Sequence, residues 1–96
     1  MTTLRIEHAI TDYATWRTAF DSFAEARTRA GVQRYRVLRP VDDDRYICVD
    51  LDFATAEAAE AFRTFLRTTV WSDPGRAPAL AGTPTARILA PAGDAG

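Results

Sequence analysis

The 96-residue sequence contains no lysine and no asparagine, and it has one cysteine and one histidine. A lone cysteine, Cys48, cannot close an internal disulfide, and one cysteine with one histidine does not make the ligand pattern of a zinc site. No apolar run approaches the length of about 18 residues that a membrane span needs, and no basic segment leads into an apolar one as in a secretory leader. We therefore expect a soluble, cytoplasmic protein without a disulfide framework or a metal site.

The charge balance is close to even. All 12 basic residues are arginine, and 13 acidic residues bring the formal net charge to −1. This balance lacks the basic excess of proteins that bind nucleic acid or anionic membranes, so neither is an expected partner. A chain of this length forms one domain that buries only about 60–65% of its unfolded surface, which makes dimerisation a plausible source of further stability.

Four segments alternate between apolar and polar residues, as strands with one buried face do. These predicted strands span residues 3–10, 32–39, 45–53 and 83–90. Residues 72–82 are rich in proline, glycine and alanine and are predicted to form a loop, and residues 91–96 a flexible tail. Residues 1–90 then form a single domain.

Two further segments carry apolar residues at steps of three and four, which is typical of helices with one buried face. The first is predicted over residues 12–30, with Asp12 or Thr11 as its N-cap and Gly31 at its end. The second is predicted over residues 55–71, with Thr55 as its N-cap. The order β-α-β-β-α-β predicts an α+β, ferredoxin-like fold, in which a four-stranded antiparallel sheet carries both helices on one face.

Strand alternation assigns each strand residue to one face of the sheet. The face toward the helices is predicted to contain Leu4, Ile6, His8, Ile10, Tyr35, Val37, Ile47, Val49, Leu51, Phe53, Ala86 and Ile88. The opposite face is predicted to contain Arg5, Glu7, Arg34, Arg36, Tyr46, Cys48, Asp50, Asp52 and Arg87. Opposite charges there can pair across strands. The residues alone therefore favour a solvated outer face, with Cys48 structural and the carboxylates paired with arginine rather than holding a metal.

Three stretches carry a family resemblance: IEHAITDYATWRTAFDSF, YRVLRPVDDDRYICVDLDF and VWSDPGRAPALAGTPTARIL. They resemble small bacterial proteins of the dimeric α/β-barrel superfamily, those related to antibiotic biosynthesis monooxygenases, over about residues 3–90. The resemblance implies that the charged sheet face is a homodimer interface of Arg–Asp/Glu pairs, with apolar contacts at the barrel ends. It also implies a pocket between the sheet and the helices of each subunit.

Activity varies within that superfamily, which leaves three hypotheses open. The first is a cofactor-free oxygenase for a hydrophobic aromatic molecule. The second is a polyketide-type cyclase that uses the same pocket for aldol chemistry without O₂. The third is a small-molecule-binding or dimeric interaction protein without catalysis. Haem-degrading relatives use a pocket asparagine that this chain lacks, and RNA-recognition folds need stacking aromatics and basic residues on the open sheet face.

His8 is the main catalytic candidate, because strand alternation directs it to the pocket side. Its ordinary pKa suits a general base near neutral pH, taking a proton from an acidic phenol or an activated C–H. Tyr13, at the start of the following helix, is the second candidate. The alternative is an imidazole that fills the core and bonds to a backbone carbonyl or to the Tyr13 hydroxyl.

The remaining candidates would line the pocket. The aromatic ones are Trp16, Phe20, Tyr35, Phe62 and Trp71. Arg76 lies in the loop after Trp71, where it can clamp a substrate carboxylate or phenolate if that loop acts as a lid. The alternatives are that the aromatic residues only pack the core and that Arg76 is solvated.

Overall fold

The computed structural model describes residues 1–92 as one sheet with helices against it; residues 93–96, the end of the predicted tail, lie outside the described residues. The strands are β1 (Thr2–Ile10), β2 (Arg34–Leu38), β3 (Tyr46–Phe53) and β4 (Leu80–Leu89). The helices are α1 (Tyr13–Ser22), α2 (Ala24–Ala30) and α3 (Ala56–Phe65), and a π-helical turn, Leu66–Val70, continues α3.

The sheet is antiparallel with strand order β2-β3-β1-β4. The predicted ferredoxin-like fold is therefore confirmed. The fully buried side chains Leu4, Ile10, Ile47, Leu51 and Phe53 all come from the helix-facing sides of β1 and β3, the two central strands. Within residues 1–92, no helix combines the length and the apolar character required to cross a bilayer.

The helix ends follow their capping residues. The Asp12 carboxylate accepts a hydrogen bond from the Thr15 backbone N–H at 2.8 Å, and the Thr55 hydroxyl accepts one from the Ala58 N–H at 3.2 Å. Both bonds satisfy donors that the first helical turn leaves unpaired. Gly31 ends α2 with φ of 92°, a conformation that glycine adopts without steric cost.

The prediction of one helix over residues 12–30 is wrong, because the chain breaks at Phe23 into α1 and α2. Phe23 has φ of −96° and ψ of 13°, and its N–H bonds to the Phe20 carbonyl at 3.2 Å. The Arg27 guanidinium donates to the same carbonyl at 2.5 Å. The Phe20 carbonyl thus accepts two hydrogen bonds at the break, and beyond it Phe23 is half-buried and Arg27 buried.

The fourth strand begins at Leu80, three residues earlier than predicted, and it contains a bulge. The β1–β4 register passes from Glu7 opposite Thr85 to Ala9 opposite Ala81, so residues 82–84 are all placed across from His8. Gly82 has φ of 72° within this bulge. The extra residues interrupt the alternation on which the strand prediction rested.

The outer face is a layer of ion pairs. Asp50 accepts two hydrogen bonds from Arg5, at 2.8 and 2.9 Å, and Arg36 lies 3.7 Å from the same carboxylate. Arg34 lies 3.2 Å from Asp52. Arg5 holds the pKa of Asp50 below its ordinary value, chiefly through their hydrogen bonds. The structure thus forms the predicted pairing of β3 carboxylates with arginines.

Candidate functional site

A cavity lies between the sheet and the helices. It encloses about 90 Å³, and the space including its open mouth is about 670 Å³. Its apolar lining comes from β1, β3, the helices, the segment before β4 and the first residue of β4: Ile6, Trp16, Ala19, Phe20, Phe23, Val49, Leu51, Phe62, Leu66, Val70, Trp71, Ala77, Ala79 and Leu80. His8, Arg27 and Arg76 complete the lining. An apolar cavity with a few polar groups is the usual form of a small-molecule site.

His8 is 6% exposed and lies in β1 opposite the β4 bulge. Its Nδ1 is 2.8 Å from the Ala9 carbonyl oxygen, which can only accept, so Nδ1–H is the donor. In the neutral ring this leaves Nε2 unprotonated. Burial lowers the pKa of His8 below its ordinary value, and the Ala9 hydrogen bond opposes that effect only partly. The imidazole is therefore neutral at pH 7, with Nε2 able to accept a proton.

Trp71 stands beside the imidazole. The two rings meet edge to face, with centroids 6.5 Å apart and planes at 72°. The π-helical turn places Trp71 there, since its N–H bonds to the Leu66 carbonyl five residues back, at 2.7 Å. Such turns insert one extra residue into a helix and rotate the side chains that follow, often at functional sites.

Helix α1 contributes an aromatic wall. Trp16 and Phe20 stack with centroids 4.9 Å apart and planes at 22°. Phe62 of α3 closes the cavity from another side and packs against Phe53 and Phe65, with centroids 6.0 and 5.7 Å away. Of the six predicted pocket residues, the structure brings five to the cavity: Trp16, Phe20, Phe62, Trp71 and Arg76.

Tyr13 and Tyr35 lie outside the cavity lining. The Tyr13 hydroxyl accepts a hydrogen bond from Arg17 at 3.4 Å, and the guanidinium of Arg39 lies 4.5 Å from its ring centroid. Tyr35 is 42% exposed and packs its ring against the outer side of Phe20, at 5.2 Å. Helical spacing alone predicted Tyr13 beside His8, but position 13 begins α1 outside the lining, where its ring packs against Trp16 with centroids 5.9 Å apart.

Arg76 is at the cavity rim. Its side chain is 52% exposed, and its Nε lies 3.4 Å from the Asp73 carboxylate. A more open depression beside the cavity shares Ala19, Phe23 and Arg76 with it. Arg76 therefore separates the enclosed space from the surface.

Arg27 is a lining residue that sequence reasoning missed. It is only 7% exposed, and its guanidinium carbon lies 3.7 Å from the centroid of the Phe20 ring. Burial lowers the pKa of Arg27. A signal was present, since Arg27 follows Phe20 and Phe23 by seven and four residues and so continues their helical stripe. The assumption that an arginine faces solvent concealed it.

The ionisable groups of the lining are all basic: His8, Arg27 and Arg76. Across residues 1–92, no group of three His, Cys, Asp or Glu side chains is arranged to hold a metal ion. The cavity as described offers a neutral imidazole, two guanidinium groups and aromatic faces. These groups can accept a proton, stabilise an anionic oxygen and bind a flat apolar molecule.

No family model matches the sequence, and no curated protein matches it either. Solved structures do. A protein from Nitrosomonas europaea, provisionally named as an antibiotic biosynthesis monooxygenase, superposes with a TM-score of 0.70 at 17% identity, over 96% of this chain and 99% of its own. SnoaB, a cofactor-independent oxygenase from Streptomyces nogalater, superposes with a TM-score of 0.67 at 18% identity, over 98% of this chain and 95% of its own. A dimeric ferredoxin-like protein from an uncultured marine organism superposes with a TM-score of 0.58 at 10% identity, over 92% of this chain and 94% of its own.

The structural neighbours confirm the resemblance in fold to monooxygenase-like proteins of antibiotic biosynthesis. At these identities the likeness shows the fold alone, because one fold hosts many activities.

Proposed function

We propose that this protein is a bacterial, cytoplasmic, cofactor-free monooxygenase that acts on an aromatic molecule with an acidic phenol or activated C–H group. The observation that carries the proposal is the buried His8 in an aromatic cavity, with Nδ1 2.8 Å from the Ala9 carbonyl oxygen, a contact that assigns the proton of the neutral ring to Nδ1. The similarity in fold to a cofactor-independent oxygenase supports it.

The chemistry needs only the substrate, O₂ and one base. Nε2 of His8 takes a proton from the substrate, leaving a carbanion stabilised as an enolate or phenolate. One electron passes from this anion to O₂, and the resulting radical and superoxide combine to form a C–O bond. The imidazolium returns its proton to the peroxide, and loss of water converts the original CH₂ into C=O. One oxygen atom stays in the product and the other leaves as water, so no external reductant is required.

Oxygen uptake with an anthrone- or quinol-type substrate tests this proposal. His8→Gln keeps a side chain of similar size but removes the base, and we expect it to lower turnover by a factor of about 10²–10⁴. Trp16 and Trp71, the only tryptophans, both line the cavity, so quenching of intrinsic fluorescence reports binding separately. Tyr13→Phe is the comparison variant, because the Tyr13 hydroxyl bonds to Arg17 outside the cavity. Unchanged turnover in His8→Gln would contradict the role of His8 as the base.

A protein without turnover, which binds a small molecule or only forms a dimer, is the second candidate, and the small enclosed volume favours it over an enzyme. About 90 Å³ is below the roughly 300–1,000 Å³ typical of ligand pockets, so an aromatic ligand must also use the mouth. The same experiment separates the candidates. Fluorescence quenching without substrate loss indicates binding alone, and substrate loss without O₂ uptake indicates a polyketide-type cyclase.

We also propose a homodimer formed through the charged sheet face. Arg5 and Arg87 lie opposite one another in register, and Arg87 has no ion pair within residues 1–92. A second copy can supply acidic partners there, while the exposed Leu38 and Leu89 can provide apolar contacts at the ends of this face. The existence of a dimeric neighbour of the same fold is consistent with this assembly. Sedimentation equilibrium at micromolar concentration should give a dimer; a monomer would contradict it.

A further inference from the structure

We propose that Arg27 binds the anionic oxygen of the ligand, so that the cavity selects planar aromatic compounds bearing a carboxylate or phenolate over their neutral analogues. This inference concerns the same cavity as the proposed function. It rests on that proposal only in taking the cavity to be a ligand site. Arg27 becomes a binding residue of α2, distinct from the rim residue Arg76.

Burying the Arg27 guanidinium has an energetic cost. A guanidinium that is removed from water loses hydration, and a buried charge is normally compensated by a carboxylate. Arg27 is more than nine-tenths buried, yet it makes no ion pair within residues 1–92. Asp21 influences its charge only from beyond ion-pair distance. The aromatic faces of Phe20 and Tyr35, 3.7 and 5.3 Å from the guanidinium carbon, compensate it in part.

The Arg27 side chain has more donors than it uses within residues 1–92. A guanidinium carries five N–H groups in a planar fork. Within residues 1–92, the Arg27 side chain makes one hydrogen bond, from Nη1 to the Phe20 carbonyl. The other N–H groups therefore remain available to a ligand acceptor. A carboxylate or phenolate oxygen is the acceptor that such a fork binds most strongly.

The charge around Arg27 also favours an anion. The described lining contains His8, Arg27 and Arg76 but no aspartate or glutamate. A cation is disfavoured in such a cavity, and an anion gains from a low-dielectric wall. Trp16 and Phe20 form the flat surface for the aromatic part of the ligand. The combination specifies an aromatic anion.

Calorimetric titration with 2-naphthoate and its neutral amide, 2-naphthamide, tests the proposal without requiring turnover. The wild type should bind the carboxylate at least about tenfold more tightly than the amide, as expected for a hydrogen bond to a charged group. Arg27→Met should remove this preference, and Arg27→Lys should retain part of it. Arg29→Met is the matched control, because Arg29 lies on the same helix with its side chain 81% exposed; it should keep the full preference.

A purely structural role for Arg27, holding the Phe20 carbonyl at the helix break, would lower stability without changing the preference between the two probes. A preference that survives Arg27→Met, one lost instead in Arg76→Met, or the absence of naphthoate binding to the wild type at millimolar concentration would overturn the proposal. If Arg27→Met does not fold, the Arg27 Nε–H resonance of the wild type decides: it should shift with naphthoate and not with the amide. Oxygen uptake is a separate readout, so either proposal can fail while the other stands.

Discussion

The cavity makes a quantitative prediction about two phenylalanines of the same core. Phe62 borders the cavity and is 5% exposed, whereas Phe53 is fully buried and does not line it. Replacing a buried phenylalanine with alanine costs about 3–5 kcal/mol, and less where the ring already faces empty space. Part of the Phe62 ring faces the cavity and so touches fewer atoms, which places its loss at the lower end of that range and that of Phe53 at the upper end, a difference of about 2 kcal/mol. We expect Phe62→Ala near 3 kcal/mol and Phe53→Ala near 5 kcal/mol.

Urea denaturation at pH 7 measures both values. A 96-residue domain has roughly 5–14 kcal/mol of stability, so Phe53→Ala approaches the limit of folding. If it does not fold, the corresponding leucine variants should preserve the order with smaller losses. A cost for Phe62→Ala equal to or above that for Phe53→Ala would refute the reasoning, because it would mean that Phe62 is packed on all sides and that the cavity is closed in solution.

Three further predictions concern protonation and backbone conformation. Burial lowers the pKa of His8 below 6.5, so the unfolded chain binds the proton more readily than the folded one. The free energy of unfolding should therefore fall as the pH drops from 6.5 toward the pKa of the folded state, by up to about 1.4 kcal/mol per pH unit. Urea denaturation of His8→Gln at several pH values should lack this slope. Arg5 holds the pKa of Asp50 below 3.8, so the stability gained is complete above pH 3.8 and lost as the pH falls through the folded value. Asp50→Asn should remove that acid-sensitive component in an acid titration followed by circular dichroism, whereas Glu25→Gln, in an exposed pair, should not. Gly31→Ala should cost about 1 kcal/mol in urea denaturation from its positive φ alone, since an added Cβ meets no atom within 4 Å; no loss would contradict the left-handed conformation.

The fold could be predicted because its strands and helices have distinct periodicities. The clean alternation of β3, Ile47 to Phe53, predicted both its span and its buried face, and the caps Asp12 and Thr55 predicted where the helices begin. The boundaries that failed depend on side-chain contacts and strand pairing that the periodicity does not contain. The helix break at Phe23 is held by the Arg27 side chain, and the β4 bulge is visible only in the register with β1.

The candidate site was predictable to a smaller extent. Strand alternation placed His8 on the helix side, and helical spacing placed Trp16 and Phe20 nearby; the structure brings all three to one cavity. Spacing could not show that Tyr13 lies outside the cavity lining, nor that Arg27 is part of it. Both outcomes depend on how α1 and α2 sit against the sheet, which a one-dimensional pattern does not contain.

The central claim is that His8 presents an unprotonated Nε2 to an aromatic ligand, and a ¹H–¹⁵N correlation spectrum of the imidazole tests it most directly. His8 is the only histidine, so its ring nitrogens can be assigned without ambiguity. At pH 7 we expect the tautomer protonated at Nδ1, and we expect the Nε2 resonance to shift when an acidic aromatic ligand is added. A ring protonated at Nε2, a doubly protonated ring at pH 7, or an Nε2 resonance that ignores bound ligand would contradict it.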